Sequence, residues 1–128
     1  MKEKPKILVV DDEEDFCFFV RENLLNSGEF DVVIAVNGRR GIQLARSEMP
    51  DLILLDLMMP DLSGEKVAET LGGFDETRNI PIIFLTALIT KEDAGTDPLK
   101  RIGDSYFIAK PVRTKALISA IKQRLMES

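Results

Sequence analysis

Short apolar runs alternate along the chain with longer segments in which apolar residues recur every three or four positions. The short runs are typical of buried strands, and the wider spacing is typical of helices with one buried face. Two segments show the helical spacing most clearly, Asp15 to Leu25 and Val112 to Met126. The runs that predict strands are Ile7 to Val10, Val32 to Val36, Leu52 to Leu55, Ile82 to Leu85 and Tyr106 to Ala109.

Strands that are apolar throughout must be covered on both faces, and right-handed crossovers place helices there. The sequence therefore predicts a doubly wound α/β domain with a five-stranded parallel sheet, for which 2-1-3-4-5 is a common strand order. The predicted buried faces carry Phe16, Phe19, Val20 and Leu24 in the first helix, and Leu117, Ile118, Ile121 and Leu125 in the last.

One segment fits this alternation poorly. The fourth helix is expected over Lys91 to Ile102, but that stretch contains Gly95 and Pro98. An interior proline costs about 3 kcal/mol because it removes a hydrogen bond and clashes with the preceding turn. We therefore expect this helix to be short, broken or displaced.

Composition limits the classes of function. A length of 128 residues predicts one domain over 1–128, with no output domain. A net charge of -5 argues against direct nucleic-acid binding, and the first apolar run is too short to enter a membrane. The single cysteine, Cys17, lies among apolar residues, which predicts a buried thiol and a cytoplasmic protein.

Three acidic residues follow predicted strands directly. Asp11 and Asp12 come after the first strand and Asp56 after the third, where an open α/β sheet has its ligand crevice. Three converging carboxylates repel one another, so either a proton or a cation must occupy the site. With no histidine in the chain, the oxygen ligands favour Mg²⁺ over Zn²⁺.

Simpler structural roles compete with this interpretation. Asp12 is equally suited to capping a helix that begins near Glu13. For Asp56 the simpler role is that of a turn residue, but a carboxylate between apolar runs is costly unless it is paired. The balance favours a functional role for Asp56 and leaves Asp12 open.

Four motifs stand at the ends of the first, third, fourth and fifth predicted strands. They are Val9-Val10-Asp11-Asp12-Glu13, Leu54-Leu55-Asp56-Leu57-Met58-Met59-Pro60-Asp61, Leu85-Thr86-Ala87 and Lys110-Pro111. In this order they resemble the motifs of response regulator receiver domains, the phosphoacceptor domains of two-component signalling. The resemblance spans nearly the whole chain and implies a flavodoxin-like fold.

The resemblance also implies a role for each site residue. Asp56 is the phosphorylated residue, and Asp11, Asp12, Asp56 and the backbone carbonyl of Met58 bind Mg²⁺ or Mn²⁺. Phosphoryl transfer needs a further fixed positive charge, which Lys110 supplies. A cis bond before the proline that follows this lysine is implied as well.

A conformational switch is the second implication. The Thr86 hydroxyl is suited to binding a phosphoryl oxygen, and Phe107 occupies the position at which family members carry an aromatic ring that changes rotamer. Plain core packing of Phe107 is a compatible alternative. Met58 and Leu88 are apolar where family members often carry polar residues that assist hydrolysis, so we expect slow self-dephosphorylation.

The implied partners are a histidine kinase or histidine phosphotransfer protein and an unknown downstream protein, with a phosphorylation-dependent homodimer as a further option. No direct contact with nucleic acid or membrane is expected. The chain is not expected to be an enzyme beyond its own phosphoryl transfer and dephosphorylation. Basic residues near the last strands and helix serve either docking or solubility: Lys100, Arg101, Lys115 and Lys122.

Two other classes of protein remain as alternatives, namely a pseudo-receiver and an enzyme or cofactor carrier on a similar fold. A pseudo-receiver would keep the fold and bind partners without phosphorylation, although the acidic, threonine and lysine motifs are intact. A flavin carrier would need a phosphate-binding loop where this chain has Asp11 to Glu14, which repel phosphate. A hydrolase with an aspartate nucleophile would need a substrate cap for which the length leaves no room.

Overall fold

The computed structural model describes residues 4–87 and 99–127. In these ranges strands and helices alternate, as predicted, up to the fourth strand. The strands are β1 (Lys6–Val10), β2 (Asp31–Ala35), β3 (Leu52–Asp56), β4 (Ile82–Thr86), β5 (Lys100–Ile102) and β6 (Ser105–Ala109). The helices are α1 (Glu14–Asn26), α2 (Gly38–Glu48), α3 (Gly64–Gly72) and α4 (Thr114–Glu127).

The strands form a single sheet in the order β2-β1-β3-β4-β6-β5. All neighbouring pairs are parallel except β5 and β6, which are antiparallel. The five predicted strands and their order are therefore confirmed, with β6 in the place of the predicted fifth strand. The predicted five-stranded parallel sheet forms the core of a six-stranded one, because β5 adds one antiparallel edge strand that was not predicted.

β5 lies within the segment that was expected to be the end of the fourth helix. Its three residues pair with β6 across a two-residue turn formed by Gly103 and Asp104. Gly103 has a φ of 62°, a conformation that glycine adopts without steric cost and that suits a tight hairpin. The hairpin therefore replaces a helix over Lys100–Ile102; the rest of that predicted helix, 91–98, lies outside the described residues.

Each face of the sheet is covered by helices, because the central strands are apolar on both sides. In β1, Ile7 and Val9 belong to a buried cluster that includes residues of α1 and α4. Leu8 and Val10 belong to a second cluster, which includes residues of α2 and α3. This alternation confirms the doubly wound arrangement, since successive strand residues point to opposite faces.

The buried face of α1 differs from the predicted one. Cys17, Val20 and Leu24 are its buried residues, whereas Phe19 is 53% exposed. The prediction that Phe19 belongs to the buried face was therefore wrong, because the helix turns its Cys17 side to the sheet. The predicted burial of the thiol is confirmed. In α4, Leu117 and Ile121 are buried, and Ile118 and Leu125 pack against them, as predicted.

A carboxylate far along the chain caps the start of α2. Asp61 accepts hydrogen bonds from the backbone N–H groups of Gly38 and Arg39, each at 3.0 Å. These N–H groups have no partner within the helix, so the contact meets a need that every helix start has. The loop after β3 is thereby tied to the beginning of α2.

Replacing Asp61 with alanine is expected to destabilise the protein by about 1 to 2 kcal/mol, because two helix N–H groups lose a charged acceptor. Chemical denaturation of the variant and the wild type measures this difference directly. Asp75→Ala, which removes a carboxylate that is 93% exposed, is the control. Equal midpoints for the two variants would contradict the importance of the cap.

Across 4–87 and 99–127, no helix has the long apolar stretch that crossing a bilayer would require.

Candidate functional site

Three carboxylates meet at the carboxyl-terminal edge of the sheet. Asp11 follows β1, Asp12 comes next in the chain, and Asp56 is the last residue of β3, which neighbours β1. One oxygen from each carboxylate lies within 4.8 Å of one from each of the others. Asp11 and Asp56 are buried, whereas Asp12 is exposed to solvent. The three carboxylates therefore lie close together, as predicted.

The cap that was considered for Asp12 is not the arrangement found at α1. Glu13 occupies the N-cap position and forms no side-chain cap hydrogen bond. The backbone N–H of Glu13 donates instead to the carboxylate of Asp11, at 3.0 Å. Asp12 therefore stays available to the cluster.

The backbone after Asp56 is fixed by close packing. The N–H of Gly64 donates to the carbonyl oxygen of Leu57 at 2.9 Å, which closes the loop between β3 and α3. A Cβ on Gly64 would lie only 2.3 Å from the carbonyl oxygen of Asp56, so this position requires glycine. Within the loop, the backbone N–H of Met58 favours the ionised form of Asp56 and so lowers its pKa, against the larger effect of burial. The loop therefore holds Asp56 by its backbone.

Lys110 reaches the cluster from the end of β6. Its Nζ donates to Asp11 Oδ2 at 2.8 Å and to Glu13 Oε1 at 2.9 Å, and it lies 3.9 Å from Asp56 Oδ1. The ring of Phe16 lies beneath the ammonium, with its centroid 4.4 Å away. The peptide bond between Lys110 and Pro111 is cis, which confirms that expectation.

Burial and crowding shift the pKa values of the site. Burial raises the pKa of Asp56 to about 6, aided by the negative charge of Asp11 and opposed by Lys110. Burial likewise raises the pKa of Asp11, despite its hydrogen bond with Lys110. Burial lowers the pKa of Lys110, but hydrogen bonds to Asp11 and Glu13 outweigh that effect and leave it above its usual value. One ammonium serves several carboxylates, which leaves the site with excess negative charge.

The composition of the cluster fits a hard divalent cation. Its donors are all carboxylate oxygens, and they are close enough to share one ion. The nearby thiol is not a competing ligand, because Cys17 donates to the backbone carbonyl of Asp11 at 3.2 Å and burial raises its pKa to about 12. The excess negative charge and the all-oxygen donors together favour Mg²⁺ or Mn²⁺ over a softer metal.

Thr86 lies on β4, which neighbours β3, and Phe107 lies on β6, the next strand of the sheet. Thr86 ends β4 and is buried, and its carbonyl accepts a hydrogen bond from the N–H of Lys110 at 2.9 Å. Phe107 pairs in register with Phe84 of β4, and their rings stack with centroids 5.4 Å apart. Thr86 pairs with Ala109, two residues beyond Phe107, so Thr86 and Phe107 point to the same face.

Three residues of the site were not assigned roles from the sequence. Glu13 and Phe16 contact the Lys110 ammonium, and Asp61 anchors the loop that follows Asp56. Glu13 and Asp61 belong to two of the four sequence motifs, and their place in those motifs was a signal that they contribute to the site. Leu88, by contrast, lies outside the described residues, and the role of the Met58 carbonyl stays a prediction.

Comparisons with known proteins agree with this site and fold. The model of the response regulator receiver domain matches residues 7–122. The polar-differentiation response regulator DivK of Brucella anthropi is 31% identical over 121 residues, which are 94% of this chain and 97% of that protein. The hybrid signal transduction histidine kinase D of Dictyostelium discoideum is 37% identical over 92% of this chain but only 7% of its own length.

A solved structure gives the same result for the fold. Chemotaxis protein CheY4 of Vibrio cholerae superposes with a TM-score of 0.80 at 24% identity, over 94% of this chain and 98% of that one. The chain therefore belongs to the response regulator receiver domain family of two-component signalling.

Proposed function

We propose that this receiver domain accepts a phosphoryl group on Asp56 in a Mg²⁺-dependent reaction and changes conformation in response. The observation that carries the proposal is the placement of the Asp56 carboxylate. It is buried at the end of β3, it shares the acidic cluster with Asp11 and Asp12, and the Lys110 ammonium lies 3.9 Å away. A nucleophile, a metal-binding cluster and a fixed positive charge are the requirements of phosphoryl transfer.

In this proposal an oxygen of Asp56 attacks the phosphorus of a phosphodonor, and the leaving group departs with the electrons of the broken bond. The pKa of about 6 leaves the Asp56 carboxylate mostly ionised at neutral pH, as a nucleophile must be. The raised pKa of Lys110 keeps its ammonium protonated, so it can face the negative phosphoryl oxygens. Asp11, Asp12, Asp56 and the Met58 carbonyl would hold Mg²⁺, which when bound would supply the remaining positive charge.

The conformational response is assigned to Thr86 and Phe107. The Thr86 hydroxyl binds a phosphoryl oxygen, which shifts the end of β4. Phe107 then changes its packing against Phe84. The shared face of Thr86 and Phe107 and the stacked rings support this pairing. The proposed conformational change is therefore a rearrangement of the packed rings of Phe84 and Phe107, which suits a two-state switch.

The phosphodonor we propose is a histidine kinase or a histidine phosphotransfer protein, and the phosphorylated domain acts on a downstream protein or on a second copy of itself. The domain catalyses its own phosphoryl transfer and dephosphorylation and no other reaction. A pseudo-receiver that acts without phosphorylation is the alternative. Asp11, Asp12, Asp56, Thr86 and Lys110 are all present at the carboxyl-terminal edge of the sheet, which favours the phosphorylated switch.

Incubation with Mg²⁺ and acetyl phosphate, followed by intact-mass measurement, tests the proposal. We expect one phosphoryl adduct on the wild type, none when EDTA replaces Mg²⁺, and none on Asp56→Asn. Asp75→Asn removes an exposed carboxylate of the same size and should label normally. A wild type that folds but takes no adduct, and whose spectrum does not respond to BeF₃⁻, would favour the pseudo-receiver.

The phosphorylated form is expected to lose its phosphoryl group slowly. Met58 is 66% exposed two positions after Asp56, and its thioether offers no group to orient an attacking water. Met58→Asn should therefore shorten the lifetime, by about tenfold. Decay of the adduct by mass measurement gives both lifetimes, and a wild-type lifetime of only seconds in Mg²⁺ would rule out the prediction.

A further inference from the structure

The ammonium of Lys110 is shared by carboxylates that differ in their place in the site. Asp11 is buried within the acidic cluster, whereas the side chain of Glu13 is 65% exposed and stands outside that cluster. Both accept a hydrogen bond from Lys110 Nζ, at 2.8 and 2.9 Å. Asp56 Oδ1, at 3.9 Å, is beyond hydrogen-bond reach. The resting lysine is therefore bound to Asp11 and Glu13 rather than to the phosphoacceptor.

The surroundings of Lys110 hold the ammonium toward α1. Phe16, on the first turns of α1, places its ring 4.4 Å from Nζ, and cations are attracted to such ring faces. Glu13 immediately precedes the same helix. Together with Ala87 and Pro111, these residues line an open concavity of about 270 Å³ next to the site. Glu13 and Phe16 thus act from the same side, away from Asp56.

We propose that Glu13 is a positioning residue that holds Lys110 back from Asp56 and thereby limits the rate of phosphoryl acceptance. This inference rests on the proposed function, because it concerns the same site. Phosphoryl transfer draws the lysine toward the new phosphoryl oxygens, and the Glu13 carboxylate competes for that ammonium. Its own negative charge also lies beside a site that must admit an anionic donor. Both effects slow phosphoryl acceptance.

The transfer step defines what Lys110 contributes. An oxygen of Asp56 forms a bond to the phosphorus of acetyl phosphate, the bond from phosphorus to the bridging oxygen breaks, and acetate leaves with the electron pair. Lys110 keeps its proton throughout and stabilises the phosphoryl oxygens by charge. A residue that alters how freely Lys110 moves must therefore change this rate only when the lysine is present.

Glu13→Gln is the test variant, because it removes the charge and weakens the contact while preserving shape. We expect it to increase the rate of phosphorylation by acetyl phosphate, and to tighten BeF₃⁻ binding in Mg²⁺, by about two- to fivefold, the range for an exposed ion pair. Glu14→Gln is the matched control. It removes the same charge one residue away, and within the described ranges Glu14 forms no ion pair with Lys110. Its effect should be less than half as large.

A double-mutant cycle with Lys110→Ala separates positioning from general charge repulsion. If Glu13 acts through the lysine, the increase from Glu13→Gln in the Lys110→Ala background falls to the size seen for Glu14→Gln, which reports charge repulsion alone. Equal effects of Glu13→Gln and Glu14→Gln, an unchanged increase without the lysine, or a slower Glu13→Gln variant would each overturn the inference. Each of these outcomes requires a wild type that takes up phosphoryl groups, so it leaves the proposed function intact. A wild type that takes up none would overturn the proposed function itself.

Discussion

Asp56→Asn is expected to stabilise the metal-free protein by about 2 to 3 kcal/mol at pH 7 while ending phosphoryl acceptance. The gain in stability arises because burying the ionised Asp56 carboxylate destabilises the folded state. Its pKa is about 6 in the folded protein, above the ordinary 3.8, through burial and the neighbouring charge of Asp11. Each unit of such a shift corresponds to about 1.4 kcal/mol.

The direction of the pH dependence follows from how tightly Asp56 binds its proton in the folded and unfolded states. The folded protein binds the Asp56 proton more tightly than the unfolded chain does, so wild-type stability falls as pH rises from about 4 to about 6. Asparagine does not titrate, so its advantage is absent below pH 4, grows across that window and is full above it. Denaturation of both proteins in EDTA at several pH values measures this difference.

Two comparisons complete the experiment. Asp75→Asn, at a carboxylate that is 93% exposed, should leave the pH profile unchanged. Adding Mg²⁺ should narrow the advantage of Asp56→Asn, because the metal binds and stabilises the folded wild type more strongly. An Asp56→Asn advantage that is constant with pH, or a net loss of stability at pH 7, would contradict the electrostatic explanation.

Gly64→Ala is expected to destabilise the protein by about 3 kcal/mol and to slow phosphorylation of Asp56. The new methyl group would lie 2.3 Å from the carbonyl oxygen of Asp56 and 2.9 Å from the Cα of Leu57. Both are backbone atoms, which cannot rotate away as a side-chain end does. Relief of the clash therefore requires a shift of the loop that holds Asp56.

Gly72→Ala provides the matched control in the same helix. No atom lies within 4 Å of a Cβ at Gly72, and alanine in a helix is favoured over glycine by about 1 kcal/mol. This variant should be as stable as the wild type or slightly more so, with normal labelling by acetyl phosphate. Equal thermal midpoints for Gly64→Ala and Gly72→Ala would show that the backbone after Asp56 tolerates the methyl group.

The central sheet was predictable because its strands are buried on both faces. An entirely apolar run such as Leu52 to Leu55 is stable only where both faces of the strand are buried. The alternation of such runs with helical segments indicates that the strands pair in parallel. β5 was missed because its three residues are exposed and leave no apolar pattern. The turn residue Gly103 was a local signal for the hairpin, but the expected strand-helix alternation outweighed it.

The site was predictable to the extent that strand ends determine it. Asp11 and Asp56 meet because β1 and β3 are neighbours, and a strand order predicts that. The Glu13 contact was not predictable, because it depends on a flexible lysine side chain that arrives 97 residues later in the chain. The capping of α2 by Asp61 has the same character, with a separation of 23 residues. Contacts of this kind depend on tertiary geometry rather than on local pattern.

The short β5 also affects how the molecule behaves among copies of itself. It forms an outer edge of the sheet and presents three exposed residues, including Lys100 and Arg101. A neighbouring chain that extended the sheet there would gain few backbone hydrogen bonds, and a second copy would bring its own basic side chains close to these. This edge therefore disfavours pairing of strands between molecules, which protects the protein against aggregation at high concentration.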